Sequence, residues 1–80
     1  MNIGEAVKER ILELYSERDI SINKLCSMSG VTQSTVNNII SGRNRSATVS
    51  TIKKLCDGLG ITIEDFFNSE LFRNLEQEIQ

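Results

Sequence analysis

Three runs of helical periodicity in this sequence end on a glycine, at Gly30, Gly42 and Gly60, and each is preceded by a hydroxyl residue able to cap a helix start. A glycine just past an apolar period can take the left-handed conformation that closes a helix, while Ser or Thr before it satisfies N–H groups of the first turn. With no proline anywhere, this punctuation restricts the chain to short helices joined by tight turns. At 80 residues it forms one domain with one small core, too short for a barrel or a multi-domain enzyme.

Val7, Ile11, Leu14 and Tyr15 recur at helical spacing opposite Glu9 and Glu13, which predicts an amphipathic first helix from about Ile3 to Glu17. Ser21 is a suitable N-cap for a second helix, INKLCSMS, with Leu25, Cys26 and Met28 facing inward. After Gly30, Val31 plugs the corner and Thr32 caps a third helix from Gln33 to about Ser41, whose buried stripe is Val36, Ile39 and Ile40. The polar segment RNRSATV reads as a loop. Ser50 then caps a fourth helix, TIKKLCDGL, burying Ile52, Leu55, Cys56 and Leu59. Thr62 begins a fifth, IEDFFNSELF, whose Glu64 and Asp65 complement the positive end of the helix dipole. The expected fold is all-α with five helices: a domain over residues 1–69 and a C-terminal helical extension over 70–80, where Leu71, Leu75 and Ile79 continue the apolar spacing. Phe67, Leu71, Phe72 and Leu75 give this end more apolar surface than a small core needs, so they either pack back on the domain or form a dimer contact.

The net charge of −2 conceals a strong asymmetry. Acids occupy both ends of the chain, whereas Ser21 to Cys56 holds Lys24, Arg43, Arg45, Lys53 and Lys54 and no acid, a local charge of +5. A basic middle between acidic ends is the pattern of a one-sided electrostatic footprint for a polyanion. Within it, GVTQSTVNNIISG from Gly30 to Gly42 carries no charge. With Val36, Ile39 and Ile40 turned inward, the 3.6-residue period leaves Gln33, Ser34, Asn37, Asn38 and Ser41 outward.

Other function classes find little support. No histidine, phosphate-cradling glycine loop or nucleophile beside a base is present, so no enzyme, metal site or cofactor is expected. Cys26 and Cys56 lie inside apolar patterns and read as small buried hydrophobes, with a disulfide as the minor alternative. Neither a membrane span nor a signal peptide is evident, which implies a cytoplasmic protein.

Two short helices joined through a glycine turn, the second polar on one face, form a helix-turn-helix, whose second helix can enter the major groove of DNA. Residues Ser21 to Phe67, carrying SINKLCSMSGVTQSTVNNIISG and STIKKLCDGLGITIEDFF, resemble the phage repressor and Cro-like (XRE-type, lambda repressor-like) regulators. Leu25, Cys26, Gly30, Val31, Val36 and Ile39 match that pattern well. Three positions depart from it. Ile22 stands where the family carries a glutamine that contacts phosphate and braces a neighbouring side chain, and Tyr15 and Ile40 replace an arginine and a glutamate that form a partly buried ion pair. Losing one partner of such a pair strands a charge at several kcal/mol, whereas replacing both by apolar packing is often neutral, so the double change is coherent.

The resemblance implies a sequence-specific transcriptional regulator, in most such cases a repressor, acting on double-stranded DNA as a homodimer at a palindromic site. It places Gln33, Ser34 and Asn38 at base-reading positions and Thr32, Asn37 and Arg43 at the phosphates. Amide side chains suit this task because glutamine and asparagine can bond N6 and N7 of adenine together. Ser21, Lys24 and Arg45 are further candidates for backbone phosphates, and Lys53 and Lys54 are either phosphate partners or solvated. The alternative function is a protein-interaction module, such as the antitoxin of a toxin pair, using the acidic, apolar segment from Phe66 to Gln80.

Overall fold

The computed structural model describes residues 1–41 and 47–79, and among these every regular element is helical. In chain order they are α1 (Ile3–Glu17), α2 (Ile22–Ser29), α3 (Gln33–Ser41), α4 (Val49–Leu59) and α5 (Ile63–Phe67), followed by a single 3-10 turn at Glu70–Phe72. Capping fixes most boundaries. The side chains of Asn2, Ser21, Thr48 and Thr62 each accept from a backbone N–H three residues on, and Thr62 forms a reciprocal capping box with Asp65.

One core serves all five helices. Ile11 and Leu14 from α1, Leu25 from α2, Val36 and Ile39 from α3, and Leu55 and Phe66 from α4 and α5 converge there, with Val31 filling the corner before α3. Both cysteines are buried and free, Cys26 on α2 and Cys56 on α4. Tyr15 and Ile40 are partly buried against this core, as expected for an apolar replacement of an ion pair.

The α2 and α4 helices make the most extensive helix contact. They approach closely at Gly58, where a Cβ would lie 2.3 Å from Ser29 Oγ and 2.9 Å from Ser29 Cα. Ser29 thus takes the inward place in the last turn of α2, and its hydroxyl is buried with no hydrogen-bond partner among the described residues. Met28, expected inside, is 41% exposed.

Two further expectations are corrected. Helix α4 starts two residues before Ser50's neighbour Thr51, at Val49, because Thr48 in extended backbone accepts from Thr51 N at 3.1 Å; Ser50 lies inside the helix. The C-terminal segment is not a helical extension. Arg10 of α1 donates from Nε to Phe66 O (2.7 Å) and from Nη2 to Asp65 O (2.8 Å), occupying carbonyls that a continuing helix would offer to residues 69 and 70. Asn68 leaves helical backbone, Ser69 is extended, and beyond the 3-10 turn the chain runs irregularly, with Glu76 N donating to Met1 O at 3.2 Å. Phe72, Leu71 and Leu75 are half-buried, and Phe72 lies within 6.2 Å of the Phe66 ring and 4.9 Å of the Phe67 ring.

The chain uses one backbone device twice. Lys24, Leu25, Cys26, Gly30 and Thr32 recur thirty positions on as Lys54, Leu55, Cys56, Gly60 and Thr62, with Val31 matched by Ile61. Both glycines are left-handed, at φ 67, ψ 24 and φ 73, ψ 30. In each case the following N–H donates back to the cysteine carbonyl, Val31 to Cys26 at 3.3 Å and Ile61 to Cys56 at 3.0 Å, and the threonine caps the next helix. We call α2–Gly30–α3 the first unit and α4–Gly60–α5 the second.

Candidate nucleic-acid interface

The first unit presents α3 at the surface. Val36 and Ile39 anchor it, and the opposite side carries Gln33, Ser34, Asn37 and Ser41 exposed, with Asn38 half-buried at the edge of the row. No charge lies on α3, and Lys24 is the only charged residue on α2. The acids of the chain sit on α1 and in the turn after it, at the end of α4, on α5 and in the tail.

Thr32 Oγ1 accepts from Thr35 N at 3.3 Å and shares a 2.8 Å hydrogen bond with the Thr35 hydroxyl. Ser21 Oγ is likewise engaged, accepting from Lys24 N at 3.1 Å, so each of these two hydroxyls first serves as a helix cap. Ser34 and Asn37 make no side-chain hydrogen bond among the described residues, leaving their donors and acceptors available. Ser41 Oγ donates to Asn38 O at 3.3 Å. Lys24 is exposed beside this face, whereas Gly42, Arg43 and Arg45 fall outside the described residues.

The structure adds one residue that the sequence analysis did not single out. Gln33 Nε2 donates to Asn23 Oδ1 at 3.1 Å, joining the first residue of α3 to the first turn of α2. Ile22 cannot brace Gln33, yet its neighbour does. The signal was an amide adjacent to the departing position, and only the relative placement of the two helices reveals that it reaches.

The two lysines of α4 separate. Lys53 Nζ lies 2.5 Å from Asp57 Oδ1, and that hydrogen bond and charge raise its pKa. Lys54 is exposed and forms no ion pair among the described residues. Of the two, Lys54 keeps its charge available to an external anion.

Comparison with known proteins agrees with this geometry. A family model described as a Cro/C1-type HTH DNA-binding domain matches residues 10–70. No protein with a curated description matches the chain. Among solved structures, the crystal structure of the prophage Lp1 protein 11 is 37% identical, with a TM-score of 0.81 over 94% of this chain and 100% of that chain. The match covers both units and most of the core, and the chain belongs to the Cro/C1-type helix-turn-helix DNA-binding family.

Proposed function

We propose that this protein is a sequence-specific transcriptional regulator of the cytoplasm that inserts α3 into the DNA major groove and represses by occupying its site. The observation that carries this reading is the charge-free row of amides and hydroxyls on an exposed α3 whose partner helix bears an available lysine. Attraction and discrimination are then divided. Lys24, Arg43 and Arg45, with Lys54, neutralise phosphates, each contributing about 0.9 to the slope of log K against log salt. Gln33, Ser34 and Asn38 read base edges, with Thr32, Asn37 and Ser21 framing the groove at the backbone.

Asn23 sharpens the role of Gln33. Because Asn23 Oδ1 accepts from Gln33 Nε2, the glutamine keeps a carbonyl oxygen and one N–H free, the pair of groups that adenine N6 and N7 require. As a homodimer the protein would set two such helices about 34 Å apart on a palindromic operator.

Selection of bound fragments from random duplex DNA tests the reading. The expected result is an enriched palindrome, with Asn38→Ala losing about 1–3 kcal/mol of discrimination at one base position per half-site and Arg43→Ala weakening all sequences alike. Enrichment of no motif would overturn it and favour the protein-interaction module.

A further inference from the structure

Asn23 and Gln33 are both exposed, and among the described residues each makes a single side-chain hydrogen bond, the 3.1 Å bond that joins them. The other side-chain bonds of the first unit stay within one helix and its cap: Ser21 with Lys24, Thr32 with Thr35, and Ser41 with Asn38. One polar side-chain bond therefore ties α2 to α3. Ile22 leaves this place to Asn23 because its own side chain packs against the core.

The direction of that bond carries information that its presence alone does not. The two ends of a glutamine amide have nearly the same shape, and rotation about the last side-chain torsion exchanges them at little cost. An untethered Gln33 would thus offer the groove either order of donor and acceptor. With Asn23 Oδ1 against it, Gln33 keeps Nε2 on that side, since the reversed amide would set one carbonyl oxygen against another. Adenine, with an acceptor at N7 and a donor at N6, matches the order that remains. Guanine has acceptors at both N7 and O6, so its O6 would meet the Gln33 carbonyl oxygen.

We infer that Asn23 is a positioning residue that sets, through Gln33, the choice of adenine over guanine at one step of the half-site. The inference rests on the reading of α3 as the groove helix and of Gln33 as one of its base readers.

Competition titrations of the full chain against every single-base substitution of the selected site test it, in wild type, Gln33→Ala, Asn23→Ala and Asn23→Asp. Both positions are exposed, so the variants should keep the wild-type melting profile. Gln33→Ala identifies the step that the glutamine reads. At that step Asn23→Ala should lose about tenfold of the preference for adenine over guanine, with the other steps unchanged. Asn23→Asp keeps an acceptor and cannot donate, so it should retain the preference there while its charge weakens binding to every sequence alike. An Asn23→Ala variant that keeps the wild-type profile, or that weakens all sequences equally, overturns the inference and leaves α3 as the reader. So does an Asn23→Asp variant that loses the preference as Asn23→Ala does. A Gln33→Ala variant that changes no step overturns the inference together with the reading of Gln33 beneath it.

Discussion

The two units of this chain share a left-handed glycine, a cysteine carbonyl that collects the turn, a threonine cap, an exposed lysine and an inward leucine-cysteine pair, yet they differ at almost every outward position after the turn. What the fold needs is repeated; what touches the outside is not. At position four of the second helix the first unit buries Val36 and the second buries Phe66, both fully. At position two the first shows Ser34 and the second Glu64, both exposed. The difference separates residues that this helix-turn-helix backbone requires from outward residues that it does not, because the second unit repeats the former without the latter.

The largest break in the comparison lies at the core pair. Phe66 packs edge-on to Phe67, with ring centroids 4.9 Å apart, and its carbonyl receives Arg10. Phe66→Ala should cost about 3–5 kcal/mol, a large fraction of the roughly 5–15 kcal/mol of a small domain. Val36→Ala, at the equivalent place, should cost about 2 kcal/mol because fewer buried carbons are removed. Urea unfolding of the two variants checks this, and equal losses would mean that the second unit contributes no more to the common core than the first.

Exchanging one outward residue sharpens the functional half of the contrast. Ser34→Glu places on α3 the residue that the second unit carries at the same step. A carboxylate in the first turn should stabilise the helix by about 0.3–1 kcal/mol. Brought into the groove between two rows of phosphates, it should also lower affinity for the preferred site by about tenfold, or ~1.4 kcal/mol. Opposite signs of the two effects, read by thermal melting and by a binding titration at fixed salt, are the signature expected if α3 meets the groove. A variant that binds as tightly as wild type would remove α3 from the interface.

Much of this was legible because helix starts and stops are local chemistry. Ser21, Thr32 and Thr62 cap where their hydroxyls predict, and the first helix ends at Glu17 as its periodicity requires. The start of α4 was decided locally, whereas the other failures turned on contacts between elements distant in sequence. Thr48 and Ser50 are both hydroxyl residues able to cap, and Thr48 takes the role through local bonds, its Oγ1 accepting from Thr51 N and donating to the Thr51 hydroxyl. Leu71, Leu75 and Ile79 have helical spacing, but the chain leaves helical backbone at Asn68, where Arg10, more than fifty residues away, donates to the last carbonyls of α5. Met28 lost its inward place to Ser29 because Gly58 admits α2 so closely that only a small side chain fits. In the candidate site, the outward row of α3 followed from periodicity, whereas the Asn23 brace depended on how α2 sits against α3.

The smallest expected difference between the units concerns their cysteines. Cys26 and Cys56 occupy equivalent positions, and burial raises the pKa of both thiols. A thiol that ionises less readily when folded than when unfolded leaves stability untouched below the ordinary thiol pKa of about 8.5, and its contribution is lost as pH rises beyond it. Native Cys26 and Cys56 should therefore resist iodoacetamide at neutral pH and react only through opening. Labelling measured separately in Cys56→Ala and Cys26→Ala reports each unit's opening. Because α2 and α4 lie against one another, with Ser29 pressed on Gly58, neither unit can open without exposing the other. The two protection factors should agree within a few-fold. A Cys26 that labels far faster than Cys56 would show instead that the first unit opens on its own, and that the shared backbone device does not make the two halves one cooperative body.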